Sequence, residues 1–437
     1  METIKDSTRK ITNSLTFKAA IIAVLTMLLL IPNAMIQGLI SERQTQSDET
    51  ISQINKQWSL AQIICPPVLV IPYTTVVEEM IGDKVQQRTS SHTLNITPEN
   101  AEILAQLFPE TRYISIYKSI VYKSDIQISG NFAAIDKLQI ENSTLHFDKA
   151  YITLGISDLR GIEQEIDFAV NGKKFATKTG ESNISDDKNM IIALNDSAFD
   201  EKDGFSFLCN LKLKGSDNIR FVPIAKNTKV SISGNWDAPG FIGNFLPEYS
   251  IDEKAKSFTA KWNILSFNRS IPDTWTDKNY IDKNLFGVSL VQTIDHYQQN
   301  MRSAKYALMF IALTFVVFFF VEVITAKRIH PVQYLLVGIA LILFYSLLLS
   351  ISEQIGFALA YLISSVATIS LITVYSAGIF KMKKAIVILA TILVMLYTFL
   401  YVILQLEDFA LLMGSLGLFV ILGIIMFISR KVKWYKE

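Results

Sequence analysis

The sequence predicts an α+β integral membrane protein with one N-terminal transmembrane helix, a large, mostly antiparallel β extracytoplasmic domain and a C-terminal five-helix transmembrane bundle. Three observations predict it. Half of the 437 residues are hydrophobic and the mean hydropathy is +0.32, too apolar for an ordinary soluble chain of this length. Six apolar runs of spanning length occur, one near the N-terminus and five after residue 305. Between them lie about 265 residues of short stretches with period-two alternation, separated by turn residues.

The first run, residues 19–39, follows Lys5, Arg9, Lys10 and Lys18 and contains Pro32 and Asn33. A signal peptide has the same beginning, but no small-x-small cleavage site follows, so the run reads as an uncleaved anchor kinked at Pro32. Residues 39–60 lack Pro and read as a continuation of that helix. From Pro66 the period changes to two. Strands are expected at residues 68–77, 93–96, 113–122, 125–129, 151–154, 205–213 and 229–233. Asn171-Gly172, between two alternating runs, signals a hairpin with a type I′ turn. This pattern favours an antiparallel sandwich or barrel-like sheet, with length for one core or two lobes. The remaining apolar runs lie near 306–325, 332–351, 357–379, 385–405 and 409–429 and must be helices, because an unpaired backbone is too costly in lipid.

Charge sets the expected orientation. Residues 39–305 hold 28 of the 41 Lys and Arg and 33 of the 40 Asp and Glu, a net of −5. The other basic residues cluster beside apolar runs: Lys327 and Arg328; Lys381, Lys383 and Lys384; Arg430, Lys431, Lys433 and Lys436. The intervening loops carry Glu353 and Glu407-Asp408. The positive-inside rule then places both termini in the cytoplasm. The expected organisation is a cytoplasmic N-terminus (1–18), an anchor (19–39), a β-rich outer domain (40–304), a five-helix bundle (306–429) and a cytoplasmic tail (430–437). The near-neutral total charge argues against a nucleic-acid binder.

The candidate functional or structural residues sit at helix ends: Glu322, His330, Pro331, Gln333, Tyr334, Ser352 and Glu353. An intramembrane carboxylate is a functional candidate by default. The structural alternative pairs Glu322 with Lys327 or Arg328 and leaves Glu353 facing water. Tyr306, Tyr334, Tyr397, Tyr401, Trp434 and Tyr435 read as an interfacial belt, and Gly414, Ser415, Gly417 and Gly423 as a close-packing surface. Cys65 and Cys209 form either one disulfide or two buried thiols. Asp158, Arg160 and Gly161 read as a binding run or, more ordinarily, a turn with local side-chain bonds. The loop from Trp236 to Pro247 reads as a contact surface or a cover over the sheet core. The four His residues show no metal-ligand spacing, and no phosphate loop or nucleophile elbow is present, so no catalytic residue, cofactor or metal is expected.

These residues resemble the CreD family of bacterial inner-membrane proteins. The likeness is densest in Asp295-His-Tyr297, Arg302 to Phe310, Leu313-Thr-Phe315, Glu322, His330 to Gly338, Phe344-Tyr345, Ser352-Glu353, Gly356-Phe357 and Ala360-Tyr361. It continues more loosely in Pro67 to Tyr73, Gly155 to Ile162, Trp236, Phe245-Leu-Pro247, Trp262 and Phe286-Gly-Val288. The chain departs from the family pattern in Trp236-Asp-Ala-Pro-Gly-Phe241, where a His-containing Pro-Ser-Phe is expected, and in the neighbour of Arg269. The resemblance implies a multi-pass inner-membrane protein with a periplasmic domain, tied to cell-envelope integrity and stress responses including those to β-lactams, with no catalytic residues to carry over. Its expected partners are the lipid bilayer and an envelope component or membrane protein at the periplasmic domain. Alternatives are a transporter or lipid-handling protein using Glu322 and Glu353, and a cell-wall-acting enzyme.

Overall fold

The computed structural model describes residues 15–81, 84–135, 140, 142–180, 189–194, 203–276, 284–290, 296–325, 327–380, 382–406 and 410–430. The expected N-terminal basic residues Lys5, Arg9 and Lys10, the Glu407-Asp408 loop, Lys381, and the tail with Lys431, Lys433, Trp434, Tyr435 and Lys436 lie outside them. The chain divides into two units, one of residues 1–48 with 294–437, the other of residues 49–293.

The first unit is helical. Helices α1 (Leu15–Leu28) and α2 (Leu30–Trp58) form an almost unbroken rod whose first part belongs here. The interruption falls at Leu29 rather than at Pro32 itself. Pro32 has no N–H to give to Leu28, and its ring crowds that carbonyl, so the break appears one turn earlier. Then follow α3 (His296–Lys305), α4 (Ala307–Thr325), α5 (Pro331–Ile355), α6 (Phe357–Ile379), α7 (Lys383–Gln405) and α8 (Ala410–Ser429). Among the described residues five helices are long and apolar enough to cross a bilayer: the α1–α2 rod, α4, α5, α6 and α7. The described apolar stretch of α8, Leu412–Phe427, is shorter. One buried cluster holds the unit together, from Leu29 and Ile40 through Phe315, Phe318 and Phe344 to Leu389, Leu393 and Leu400. Gly338 permits one close approach, since a Cβ there would lie 2.2 Å from the Leu29 side chain and 2.9 Å from Phe315. Of the glycines expected to pack closely in α8, Gly417 lies against Phe399, whereas Gly414 and Gly423 face open space.

The second unit is β-rich. Its strands are β1 (Gln62–Ile81), β2 (Lys84–Ile96), β3 (Asn100–Ile114), β4 (Tyr117–Phe132), β5 (Ser143–Leu145), β6 (Tyr151–Ile156), β7 (Asp167–Val170), β8 (Lys173–Phe175) and β9 (Lys178–Gly180), followed by β10 (Asn189–Ala193), β11 (Phe205–Ser216), β12 (Asn218–Phe221), β13 (Asn227–Gly234), β14 (Gly240–Gly243), β15 (Glu248–Asp252), β16 (Ser257–Leu265), β17 (Thr274–Thr276) and β18 (Phe286–Ser289). One sheet has the path β14-β18-β12-β1-β6-β10-β9, with β2, β5 and β17 attached; the other runs β15-β16-β13-β3-β4-β11-β7-β8. All neighbours are antiparallel except β1 with β12 and β13 with β3. Inward residues of both sheets, such as Ile71, Leu154 and Phe286 from one and Ile103, Ile128 and Leu211 from the other, share one core cluster, as in a sandwich.

Several local features follow from the sequence. The pairing of β1 with β6 shifts register between Cys65 and Val68, where Pro66 and Pro67 can donate nothing to the ladder. Asn171 and Gly172, with φ of 48° and 79°, turn β7 into β8 as expected. The alternating run at residues 113–122 is not one strand. Ser115, at φ 55°, and Ile116 turn it, so the run ends β3 and begins β4. Alternation survives a two-residue turn, so period alone does not show the reversal.

Candidate functional site

The expected site residues gather at the two ends of α5. At its N-terminal end His330, Pro331 and Gln333 build the helix cap. The Val332 N–H donates to His330 Nδ1 at 3.4 Å, the His330 N–H donates to Gln333 Oε1 at 3.0 Å, and Pro331 occupies the first helical position. Pro suits that position because its missing N–H has no helical partner to lose. These three residues therefore answer the backbone groups of the helix start.

Beside the cap lies Glu322 of α4, 6% exposed. Its carboxylate accepts from three donors: Lys18 Nζ of α1, the Ile329 N–H at 3.1 Å and the Tyr334 hydroxyl of α5 at 3.1 Å. Tyr334 is held by edge-on contacts with Phe315 and Phe318, at 5.6 and 6.2 Å between ring centres. This corrects the pairing expected from sequence. Lys327 instead donates to the carbonyl of Ile379 at the C-terminal end of α6, and Arg328 is exposed. The last turn of a helix carries unpaired carbonyls and partial negative charge, which attract a cation. Glu322 then takes Lys18, a residue 304 positions away. One carboxylate thus ties α1, α4, the 327–330 loop and α5.

The C-terminal end of α5 carries the second group. Asn300 Nδ2 of α3 donates to Ser352 Oγ at 2.8 Å, and Ser352 Oγ donates to the Leu349 carbonyl at 2.9 Å. Glu353 does not simply face water: it accepts from the Tyr297 hydroxyl of α3 at 3.1 Å. Tyr334 and Ser352 are 18 residues apart, about 27 Å along the helix, so the two groups are separate sites. Lys18, Tyr297 and Asn300 complete these clasps without being singled out from sequence. Lys18 is hidden among the basic residues before the anchor. Asn300 carries a weak signal, as an amide on the buried side of an otherwise polar helix.

Two aromatic residues read as interfacial are interior. Tyr334 and Tyr397 are 3% and 4% exposed, and the Tyr361 hydroxyl donates to the Tyr397 carbonyl at 2.7 Å. Phe344 stacks edge-on against Tyr361 and Tyr397 at 5.5 and 4.9 Å.

In the β unit the polar groups singled out from sequence also serve the fold. Cys65 and Cys209 are free buried thiols in different sheets, both pushed up to about 12 by burial, so no bridge joins them. The Asp158 carboxylate accepts from the Arg160 guanidinium at 2.8 Å, the Leu60 N–H at 2.9 Å, the Ser59 hydroxyl at 3.1 Å and the Arg160 N–H at 3.2 Å. The bonds from Arg160 come first in holding it at about 2, below the usual 3.8. Gly161 must be glycine: an added Cβ would stand 2.4 Å from the Lys214 carbonyl. The Arg269 side chain is fully buried and donates to the Ala225 and Ile271 carbonyls and to Asp273. Trp236, Phe241 and Phe245 pack on the core, so the loop beginning at Trp236 covers it, with β14 formed inside that loop. Among the described residues no group of three or more His, Cys, Asp or Glu gathers as a metal site.

The sequence matches the protein-family model described as "Inner membrane protein CreD" over residues 14–435. A curated relative, the "Inner membrane protein CreD" of Escherichia coli (strain K12), is 30% identical over 414 residues, which cover 94% of this chain and 91% of the relative.

Proposed function

We propose that this chain, which belongs to the CreD family of inner membrane proteins, supports cell-envelope integrity and the response to envelope stress, including β-lactams, without a reaction of its own. In this reading the β unit stands in the periplasm and contacts an envelope component or a membrane-protein partner, and the helices hold it in the inner membrane. The observation that carries the reading is the joining of a large β sandwich to a set of bilayer-length helices whose marked polar residues are engaged in helix-to-helix clasps. The basic residues Lys327, Arg328, Lys383, Lys384 and Arg430 support six spans with both termini in the cytoplasm, α8 being the sixth.

Transport through Glu322 and Glu353 fits less well. A carrier site places discontinuous helices and exposed polar groups near mid-membrane. Glu322 already accepts from three donors, and Glu353 lies near the end of α5. The test is deletion of the gene followed by challenge with detergent and β-lactam. Hypersensitivity restored by the wild-type gene is expected; unchanged survival across both challenges removes the proposal. Alkaline phosphatase fused after residue 355 should be active and after residue 328 inactive; the opposite pattern refutes the orientation.

A further inference from the structure

We infer that the outer face of the eight-stranded sheet carries a binding groove for a neutral oligosaccharide strand. This rests on the proposed contact of the β unit with an envelope component and names the chemical class of that component. The groove has a volume of about 460 Å³ and lies over β13, β3, β4 and β11. That is within the roughly 300–1,000 Å³ of small-ligand sites.

Strand register orders its lining into two rows. Ser231 stands opposite Leu104, Leu104 opposite Gln127, and Gln127 opposite Asn210. Alongside run Ser233, Gln106, Asp125 and Lys212 in the same succession. At about 4.8 Å between strands each row extends roughly 15 Å, enough to follow a linear ligand across the sheet. The chemistry of the rows selects the ligand. Carboxamides and hydroxyls both donate and accept hydrogen bonds, as sugar hydroxyls and acetamido groups do. Asp125 and Lys212 are directly opposed, so the rows carry no net charge to favour a phosphate or a polyanion. Gln127 Nε2 already donates to Asn210 Oδ1 at 3.1 Å, which sets both amides before any ligand arrives. Phe108, 42% exposed, stands two residues beyond Gln106 on the same outward face of β3 and offers an apolar ring against the face of a pyranose. A peptide partner would favour an open strand edge or an apolar groove, whereas this site lies across the middle of a sheet whose strands are already paired.

The experiment is calorimetric titration of the full-length protein with the tetramer of N-acetylglucosamine, and with cellotetraose, in a detergent that has no sugar headgroup. Saturable binding of either saccharide is expected. It should weaken at least fivefold in the double variant Gln127→Ala/Asn210→Ala, each lost hydrogen bond contributing roughly a factor of 2–10. Lys254→Ala, on the exposed turn between β15 and β16, is the control and should bind as wild type. Continued burial of Cys65 and Cys209 against a maleimide shows that each variant is folded. Absence of saturable binding to both saccharides, undiminished binding by the folded double variant, or binding of tetra-alanine in place of the saccharides overturns the inference. A deletion phenotype without saccharide binding removes this inference alone, and saccharide binding without a phenotype removes only the proposed function.

Discussion

Replacing Asp158 by Asn tests the bond network that joins the start of β1 to the 158–161 turn. The carboxylate accepts from Arg160, Leu60 and Ser59, and these bonds, those from Arg160 first, hold its pKa at about 2, below the usual 3.8. At 1.36 kcal/mol per unit, that difference is worth about 2.4 kcal/mol. The Arg160 side chain is 58% exposed, so screening reduces its share, and about 1.5–2 kcal/mol is the figure to expect. For a unit of this size 1 kcal/mol moves the melting temperature by about 2–4 °C, so Asp158→Asn should lower it by roughly 3–8 °C. The two buried thiols report the transition directly, since Cys65 and Cys209 become reactive toward a fluorogenic maleimide only when the β unit opens. The pH dependence has a definite sign. A carboxylate whose folded value is depressed stabilises fully above its unfolded value of 3.8, and the contribution disappears as pH falls through about 2. The gap between wild type and variant should therefore be full at pH 7 and close between pH 4 and 2. Tryptophan fluorescence can follow this, because Trp58, Trp236, Trp262 and Trp275 all lie in the β unit. A shift under about 1 °C at pH 7, or a gap that does not change with acid, refutes the assignment.

Three further outcomes are expected. Lys18→Ala and Glu322→Ala should each destabilise the helical unit by about 3–5 kcal/mol, and the double variant by much less than the sum, because one removal strands the other charge; unfolding in sodium dodecyl sulfate followed by circular dichroism measures the cycle, and additivity would show that the clasp is absent. Gly161→Ala should lower the β-unit melting temperature at a cost of about 1–3 kcal/mol, since the new methyl collides with the Lys214 carbonyl; a wild-type melt contradicts that close approach. Asp217→Asn should raise the melting temperature at neutral pH. Burial pushes the Asp217 carboxyl above its usual range, Asn55 Nδ2 donates to it at 2.7 Å, and an amide oxygen can keep that bond while removing the buried charge. Asn also tolerates the positive φ of 60° found there, so a lowered melting temperature would count against burial as the cause.

How much of this was legible in the sequence depends on whether a signal is local. Bilayer-length helices reveal themselves by composition alone, and the Asn171-Gly172 hairpin by two residues that accept positive φ. Pro66-Pro67 reads from sequence as the place where the strand pattern begins, whereas β1 already starts at Gln62 and runs through the two prolines with a register shift. The start of β3 at Asn100 is not legible in the sequence even though the 101–108 segment alternates cleanly between buried and exposed. Ala101 and Ala105 occupy inward positions there, and alanine carries little strand signal. Strands β14, β15, β17 and β18 are only three to five residues long, and pairing rather than propensity defines them.

The clasps show the same limit at the level of side chains. Glu322 stands out because a carboxylate in an apolar run has to be answered. Nothing within one turn reveals what answers it, since Lys327 and Arg328 are near in sequence and Lys18 is near in space. The competition is settled by geometry: the Ile329 N–H takes one side of the carboxylate, Tyr334 the other, and Lys327 satisfies the open end of α6. Lys18 remains to neutralise the buried charge. A basic residue just before an apolar anchor can therefore act as a structural partner as well as an orientation signal.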